Sequence, residues 1–232
     1  MVRFDRLDTE KSRAAVRSLA EAQKINGDSN TPEVFAALSE MFHGKCYICE
    51  NKKSITSFQV EHLNPHQGDP ALKYAWDNLF LSCAHCNNTK GNKYSPILDC
   101  THIDVDRRIS FHFKFRFLKP LTNEREIFLE ALDDNPETQN TLELLTDVYY
   151  GKTPQKKAEA NLIHCEIRRQ LSNFIVDICE YNETEDVEDK RDLFFKIKAE
   201  LKNNSEYTAF KRWIILDYRE LCEDFLPLLW NE

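Results

Sequence analysis

Cys46-Tyr47-Ile48-Cys49 and Cys83-Ala84-His85-Cys86 decide how this sequence is read. Each pair holds two thiols two residues apart, the spacing of a metal knuckle, and the knuckles stand about thirty residues from each other. Four thiolates make a closed tetrahedral Zn²⁺ site, with no position left for a reacting molecule. Such a zinc pins the ends of a segment too short to bury a core of its own. Unliganded core cysteines and a redox pair are the alternatives; two knuckles together, with no βαβ pattern around them, fit zinc better. His85 is read as a neighbour of the site, because its spacing does not suit the knuckle. The remaining cysteines, Cys100, Cys165, Cys179 and Cys222, are scattered and read as small fillers in a reducing compartment.

A zinc held by four sulfurs cannot activate water, so any chemistry needs a second centre. Between the knuckles lie Val60-Glu61-His62-Leu63-Asn64-Pro65 and Trp76-Asp77-Asn78-Leu79-Phe80-Leu81-Ser82. Directly after them comes Asn87-Asn88-Thr89-Lys90-Gly91-Asn92-Lys93. The order C-x-x-C, acid-His, Asp-Asn-Leu, C-x-x-C-Asn-x-x-Lys-Gly resembles the HNH endonucleases, over about fifty residues. The resemblance implies a ββα-metal fold: a strand near 57–63 carrying Glu61 and His62, a return strand near 79–82, and a helix after Cys83 carrying Asn87 and Lys90.

It also implies roles that elementary chemistry supports. Hydrolysis of a phosphodiester needs a deprotonated water and a hard cation on the phosphate. His62, titrating near neutrality, suits proton abstraction as the general base. Glu61 and Asn87 offer oxygen ligands for a catalytic Mg²⁺ or Mn²⁺. Asn78, the middle residue of the signature, is expected to orient the loop and the backbone contact of His62. Lys90 is expected to hold phosphate as a point charge. Two positions depart from the commonest pattern. Glu61 stands where many members have Asp, and Asn87 where the third signature residue is often His. An amide in place of an imidazole favours Mg²⁺ over transition metals.

More of the chain is similar to the PtuB-type HNH proteins of Septu and retron anti-phage systems. The run from Gln59 to His66, the run Trp76–Lys93, and Asn140-Thr-Leu-Glu-Leu-Leu-Thr-Asp-Val-Tyr-Tyr-Gly151 before a long charged stretch carry that likeness. It implies a nuclease effector held in a complex with an ABC-type ATPase, PtuA.

Outside the motifs the chain is an ordered globular sequence of 232 residues, with only 5 Gly and 8 Pro. The net charge of −8 hides an asymmetry: residues 1–118 hold 16 Lys+Arg against 14 Asp+Glu, and residues 119–232 hold 15 against 25. A free chain with that balance should bind nucleic acid poorly, since phosphate neutralisation dominates such affinity. A basic partner subunit resolves the difficulty, with the acidic half docking on it. No apolar run approaches the ~20 residues of a membrane span, and the first residues form no signal region; the cytoplasm is the expected compartment.

Helices are predicted over 9–26 and from Thr31-Pro32 to Phe42, with Phe35, Leu38 and Phe42 on one face. A half-buried strand is predicted over 109–117, with Ile109 and four phenylalanines on one side and Ser110, His112, Lys114 and Arg116 on the other. Helices are predicted near 122–132, 138–149, 155–182, 186–203 and 205–224. The expected fold class is α+β, mostly helical: N-terminal helices in 1–42, the zinc-stapled nuclease core with its following strand in 43–118, and an acidic, partner-docking helical region in 119–232.

The leading functional reading is a metal-dependent endonuclease, with DNA the family default and RNA, including tRNA, open. A zinc-dependent nucleic-acid-binding module without catalysis is the second reading, disfavoured because a binder has no need of Glu61, His62 and Asn87 together. A stand-alone restriction or homing enzyme is the third, disfavoured because it calls for a basic recognition domain. His66 is read as a loop residue before a substrate contact, and the basic strand face of His112, Lys114 and Arg116 as solvated before nucleic-acid-binding. His43, His102 and His164 carry no pattern.

Overall fold

A computed structural model describes residues 1–52, 57–115 and 125–230 of the chain. Its first two helices begin where hydroxyl caps precede them. Thr9 opens α1 (Glu10–Lys24) with a capping box, its hydroxyl accepting from the Ser12 amide while the Ser12 hydroxyl takes the Thr9 N–H. Thr31 caps α2 (Pro32–Met41), with Pro32 in the first turn, where its missing N–H costs nothing. Val34, Ala37 and Leu38 face inward and pack α2 against α1. Leu38 and Phe42 are buried as expected, but Phe35 points outward at 37% exposure: the buried face runs through Val34 instead.

The segment between the knuckles folds as a strand, a return strand and a short helix. β1 (Phe58–His62) and β2 (Leu79–Cys83) pair antiparallel, with Glu61 opposite Phe80 and His62 opposite Leu79. The connection carries α3 (Pro70–Lys73), capped by Asp69, and a single 3₁₀ turn at Trp76–Asn78. α4 (Ala84–Lys90) leaves β2 directly at Cys83. The first knuckle is tied to β2 by the Tyr47 N–H, which donates to the Leu81 carbonyl at 3.0 Å.

β3 (Ile109–Phe113) follows, shorter than the predicted strand, whose Arg116 and Phe117 fall outside the described residues. The helix predicted near 122–132 is overturned where it is described: Ile127–Ala131 is strand β4, paired antiparallel with β3. Glu, Leu and Ala favour a helix locally, but β3 has an open backbone edge and a row of phenylalanines to cover. Tertiary pairing overrides the weak local preference. His112 pairs with Asp217 at 2.8 Å, and the Lys114 ammonium sits 4.5 Å over the Phe128 ring.

Four helices complete the chain: α5 (Pro136–Tyr150), α6 (Pro154–Glu183), α7 (Val187–Glu200) and α8 (Thr208–Asp217), the last followed by 3₁₀ turns to Leu228. Gly151 ends α5 at φ +58°, and a Cβ there would lie 2.5 Å from the Lys156 backbone, so no other residue fits. Buried side chains from Met1 to Leu229 join one hydrophobic cluster, so the N-terminal helices, the inter-knuckle segment and the C-terminal helices share a core.

α8 begins at Tyr207, in the left-handed region at φ +53°, with no cap of its own. The Glu50 carboxylate, just past the first knuckle, supplies it. It accepts from the Thr208 and Ala209 amides at 2.9 and 3.4 Å, at the positive end of the helix dipole. Glu50 also neutralises the fully buried Lys45, 3.4 Å away, whose ammonium reaches the Ser205 carbonyl at 2.6 Å. Glu50→Gln should therefore strand a buried ammonium and cost on the order of 3–5 kcal/mol. The control Glu21→Gln, at an exposed pair with Lys24, should stay within about 0.5 kcal/mol. Thermal unfolding of both variants checks this; equal midpoints would show that Glu50 does not anchor α8.

Candidate active site and metal centre

β2 and α4 bring Cys83 and Cys86 to the turn that carries Cys46 and Cys49. The four sulfurs lie within 4.8 Å of one another, all buried. Cys49 Sγ and Cys83 Sγ are 3.9 Å apart, against about 3.8 Å for two ligands of a tetrahedral zinc with bonds of about 2.3 Å. Burial alone would raise the Cys46 thiol; hydrogen bonds from Cys49, Cys83 and Cys86 outweigh it and hold Cys46 well below its ordinary value. Burial and the same neighbours push Cys86 well above. The donor set fits zinc and could hold it. His85 is not among the donors: its Nε2–H donates to the Val148 carbonyl at 2.8 Å, and its Nδ1 lies 2.7 Å from Glu159.

Neighbouring residues of a strand point to opposite faces, and this separates Glu61 from His62. Glu61 turns inward under α4 and is 5% exposed. One carboxylate oxygen lies 2.5 Å from the Lys90 ammonium, and the other accepts from the Tyr47 hydroxyl at 2.8 Å. Burial raises the Glu61 carboxyl above its ordinary range, against the opposing pull of Lys90 and Tyr47. Lys90 is itself 1% exposed and donates to the His62 carbonyl at 2.8 Å. Lys90, expected as a phosphate contact, sits here in a buried ion pair with the carboxylate beneath α4.

The same geometry bears on Glu61 and Asn87 as cation ligands. Both Glu61 oxygens already carry donors, and a cation would have to displace the ammonium. Asn87 does not meet Glu61: its Nδ2 donates to Gln59 Oε1 at 2.8 Å, one strand period before Glu61. In this arrangement the pair does not fit a directly bound Mg²⁺. Tyr47 and Gln59, which meet Glu61 and Asn87, have no place in the motif; their only signal in the sequence is position, Tyr47 inside the knuckle and Gln59 two residues before Glu61.

His62 faces the other way and is half-buried. Its Nε2 lies 3.0 Å from the Lys73 carbonyl. A carbonyl only accepts, so Nε2 carries the proton and Nδ1 keeps its lone pair. Burial, the largest influence, lowers the His62 pKa from the ordinary 6.5, with help from His66 and Lys90 and against the Lys73 carbonyl. Among the described residues, no side-chain hydrogen bond joins His62 to Glu61 or Asn87. Asn78 closes the connection behind it: its side chain accepts from the Asn64 amide at 2.8 Å and donates to the Asn64 and Leu72 carbonyls at 2.9 and 3.0 Å. Its own carbonyl accepts from the Leu63 amide at 2.9 Å. The loop that aims Lys73 at His62 is therefore held by one buried amide.

Residues 46–93 match the family model for HNH endonucleases, the segment that both knuckles, β1, β2 and α4 define. The chain is similar to the Septu protein PtuB of Bacillus mycoides (strain KBAB4), with 30% identity over 112 residues. The match covers 38% of this chain and 38% of that protein, well under half the length of either. The chain thus carries an HNH segment and resembles PtuB.

The Glu61–Lys90 pair makes its own prediction. Glu61→Gln and Lys90→Met should each cost on the order of 3–5 kcal/mol, since each leaves one buried charge alone. The double variant should recover a large part of the summed loss. Denaturant unfolding of the cycle measures the coupling, and strictly additive losses would show that the two groups do not depend on each other.

Proposed function

We propose that this chain is an HNH endonuclease that hydrolyses phosphodiester bonds of nucleic acid with His62 as general base. The observation that carries the reading is the tautomer of His62. With Nε2–H committed to the Lys73 carbonyl, Nδ1 presents a lone pair from a half-exposed ring. That nitrogen takes a proton from a water in line with the scissile phosphorus–oxygen bond; the water's oxygen bonds to phosphorus as the opposite P–O bond breaks, and the leaving oxygen takes a proton from solvent. Asn78 keeps the ring aimed by holding the Asn64–Leu72 connection. The lowered pKa keeps His62 unprotonated through neutral pH.

A need for Mg²⁺ or Mn²⁺ is what the HNH resemblance implies; because Glu61 and Asn87 are occupied by Lys90, Tyr47 and Gln59, no step of the proposed reaction is routed through the cation. The four-cysteine cluster is proposed to hold a structural zinc, in line with its sulfur spacing. Likeness to a Septu protein supports a role as the nuclease of an anti-phage complex with an ABC-type ATPase. The excess of acid in residues 119–232 supports docking on that basic partner.

The test is cleavage of plasmid DNA and of total RNA by the purified chain, alone and with the co-expressed ATPase, in Mg²⁺ or in EDTA. His62→Ala should lower cleavage by on the order of 10²- to 10⁴-fold. The acid limb of the rate should fall below the ordinary histidine value of 6.5, because a base with a lowered pKa stays competent further into acid. Retained cleavage in His62→Ala would end the assignment, and failure of the ATPase to co-purify would end the proposed complex. Metal analysis of the same sample should find one zinc per chain, lost in Cys83→Ser together with cooperative unfolding.

A further inference from the structure

His66 lies outside the HNH signature, yet its ring centroid is 4.7 Å from that of His62, tilted by 57°. The turn after it fixes its protonation. Gln67 and Gly68 take the left-handed region at φ +46° and +91°. This brings the Gly68 N–H to His66 Nδ1 at 3.1 Å, while the Asp69 amide closes on the His66 carbonyl at 2.7 Å. A backbone N–H only donates, so Nδ1 is the acceptor and Nε2 carries the proton. No other hydrogen bond of this ring exists among the described residues.

Two half-buried imidazoles therefore stand together in opposite roles, set by opposite backbone partners. The Lys73 carbonyl leaves His62 with a free lone pair on Nδ1. The Gly68 amide leaves His66 with a free N–H on Nε2. In-line attack on a phosphodiester calls for both: a lone pair for the proton of water, and a donor for the charge that gathers on the phosphate oxygens. The motif residue expected to contact phosphate, Lys90, is buried against Glu61 and the His62 carbonyl, which leaves that task to another group.

We propose that His66 is the phosphate-contacting residue of this site, donating its Nε2–H to a non-bridging oxygen of the scissile phosphate. The proposal rests on the nuclease reading above. His66 keeps its proton throughout; the proton of the attacking water goes to His62.

Two measurements on the full chain, with its ATPase where activity needs it, test the assignment. In single-turnover cleavage, His66→Ala should lose on the order of 10- to 100-fold, the worth of one hydrogen bond to a charged group. His66→Gln, which still presents an N–H, should recover part of it, and in both variants the acid limb should remain, moved only upward as the His66 contribution to lowering the His62 pKa is lost. In ¹⁵N spectra of the histidine rings, His66 should be the Nε2–H tautomer, and that nitrogen should shift on addition of thymidine 3′,5′-bisphosphate. Wild-type rates in His66→Ala, or equal loss in both variants with a lowered melting temperature, would overturn the proposal. A ring nitrogen unmoved by the bisphosphate would do so too. A shift at His66 in a chain that cleaves nothing would uphold the phosphate contact and remove the nuclease reading instead.

Discussion

The four buried sulfurs of Cys46, Cys49, Cys83 and Cys86 are the point on which the rest of the architecture depends. A two-stranded hairpin is marginal by itself in water, and α4 spans only seven residues, too few to be stable alone. Neither element would hold its place by local preference. The cluster joins the end of β2 and the start of α4 to a turn from another part of the chain, and that turn faces two ways. Tyr47 reaches forward to β2 and to Glu61, and Glu50 reaches back to cap α8. Charge and hydrogen bonding thus pass from the sulfur cluster into both the β-hairpin and the C-terminal helices.

Around that point, burial sorts the polar residues of the motif into two kinds. Those beneath α4 are consumed by one another: Glu61 by Lys90 and Tyr47, Asn87 by Gln59. His62 on the opposite face, and His66 of the connecting loop outside the motif, remain partly open, each with one ring nitrogen committed to backbone. For an imidazole this is decisive, because fixing one ring nitrogen fixes the role of the other. The backbone carbonyl of Lys73 and the backbone amide of Gly68 assign opposite roles to two identical side chains.

Much of this was legible in the sequence for physical reasons. Two C-x-x-C pairs admit few arrangements. The Ala-rich run over 9–26 marks the first helix by propensity, and Thr31-Pro32 marks the start of the second through a local hydroxyl cap. Period-two hydrophobicity marks the strand at Ile109. What was not legible depends on partners distant in sequence. Ile127–Ala131 is a strand only because β3 lies beside it. Phe35 turns outward because α1 contacts the Val34 face. Lys90 reads as a surface cation until the parity of β1 places Glu61 directly beneath it. The neighbourhood of His62 and His66 depends on a loop conformation with two successive positive φ values, which no spacing rule announces.

The charge asymmetry takes on a different meaning once the core is known. An acidic C-terminal half reads from sequence as an appendage, separable from the nuclease segment. In the folded chain it is fastened to the rest by hydrogen bonds from the start of α8 to Glu50, by the buried Arg212–Asp106 pair at 3.0 Å, and by a hydrogen bond between His85 and Glu159 of α6 at 2.7 Å. A run of exposed acids lies instead at the α6–α7 junction and the first turns of α7, at Glu183, Glu185, Glu188, Asp189 and Asp192. Carboxylates on a solvated helix face cost little to leave unpaired, and they repel a polyanion within a Debye length of about 8 Å. The contacts through Glu50 and His85 join the C-terminal helices to the core that holds the knuckles, so the acidic surface is carried on that core and is no separable appendage.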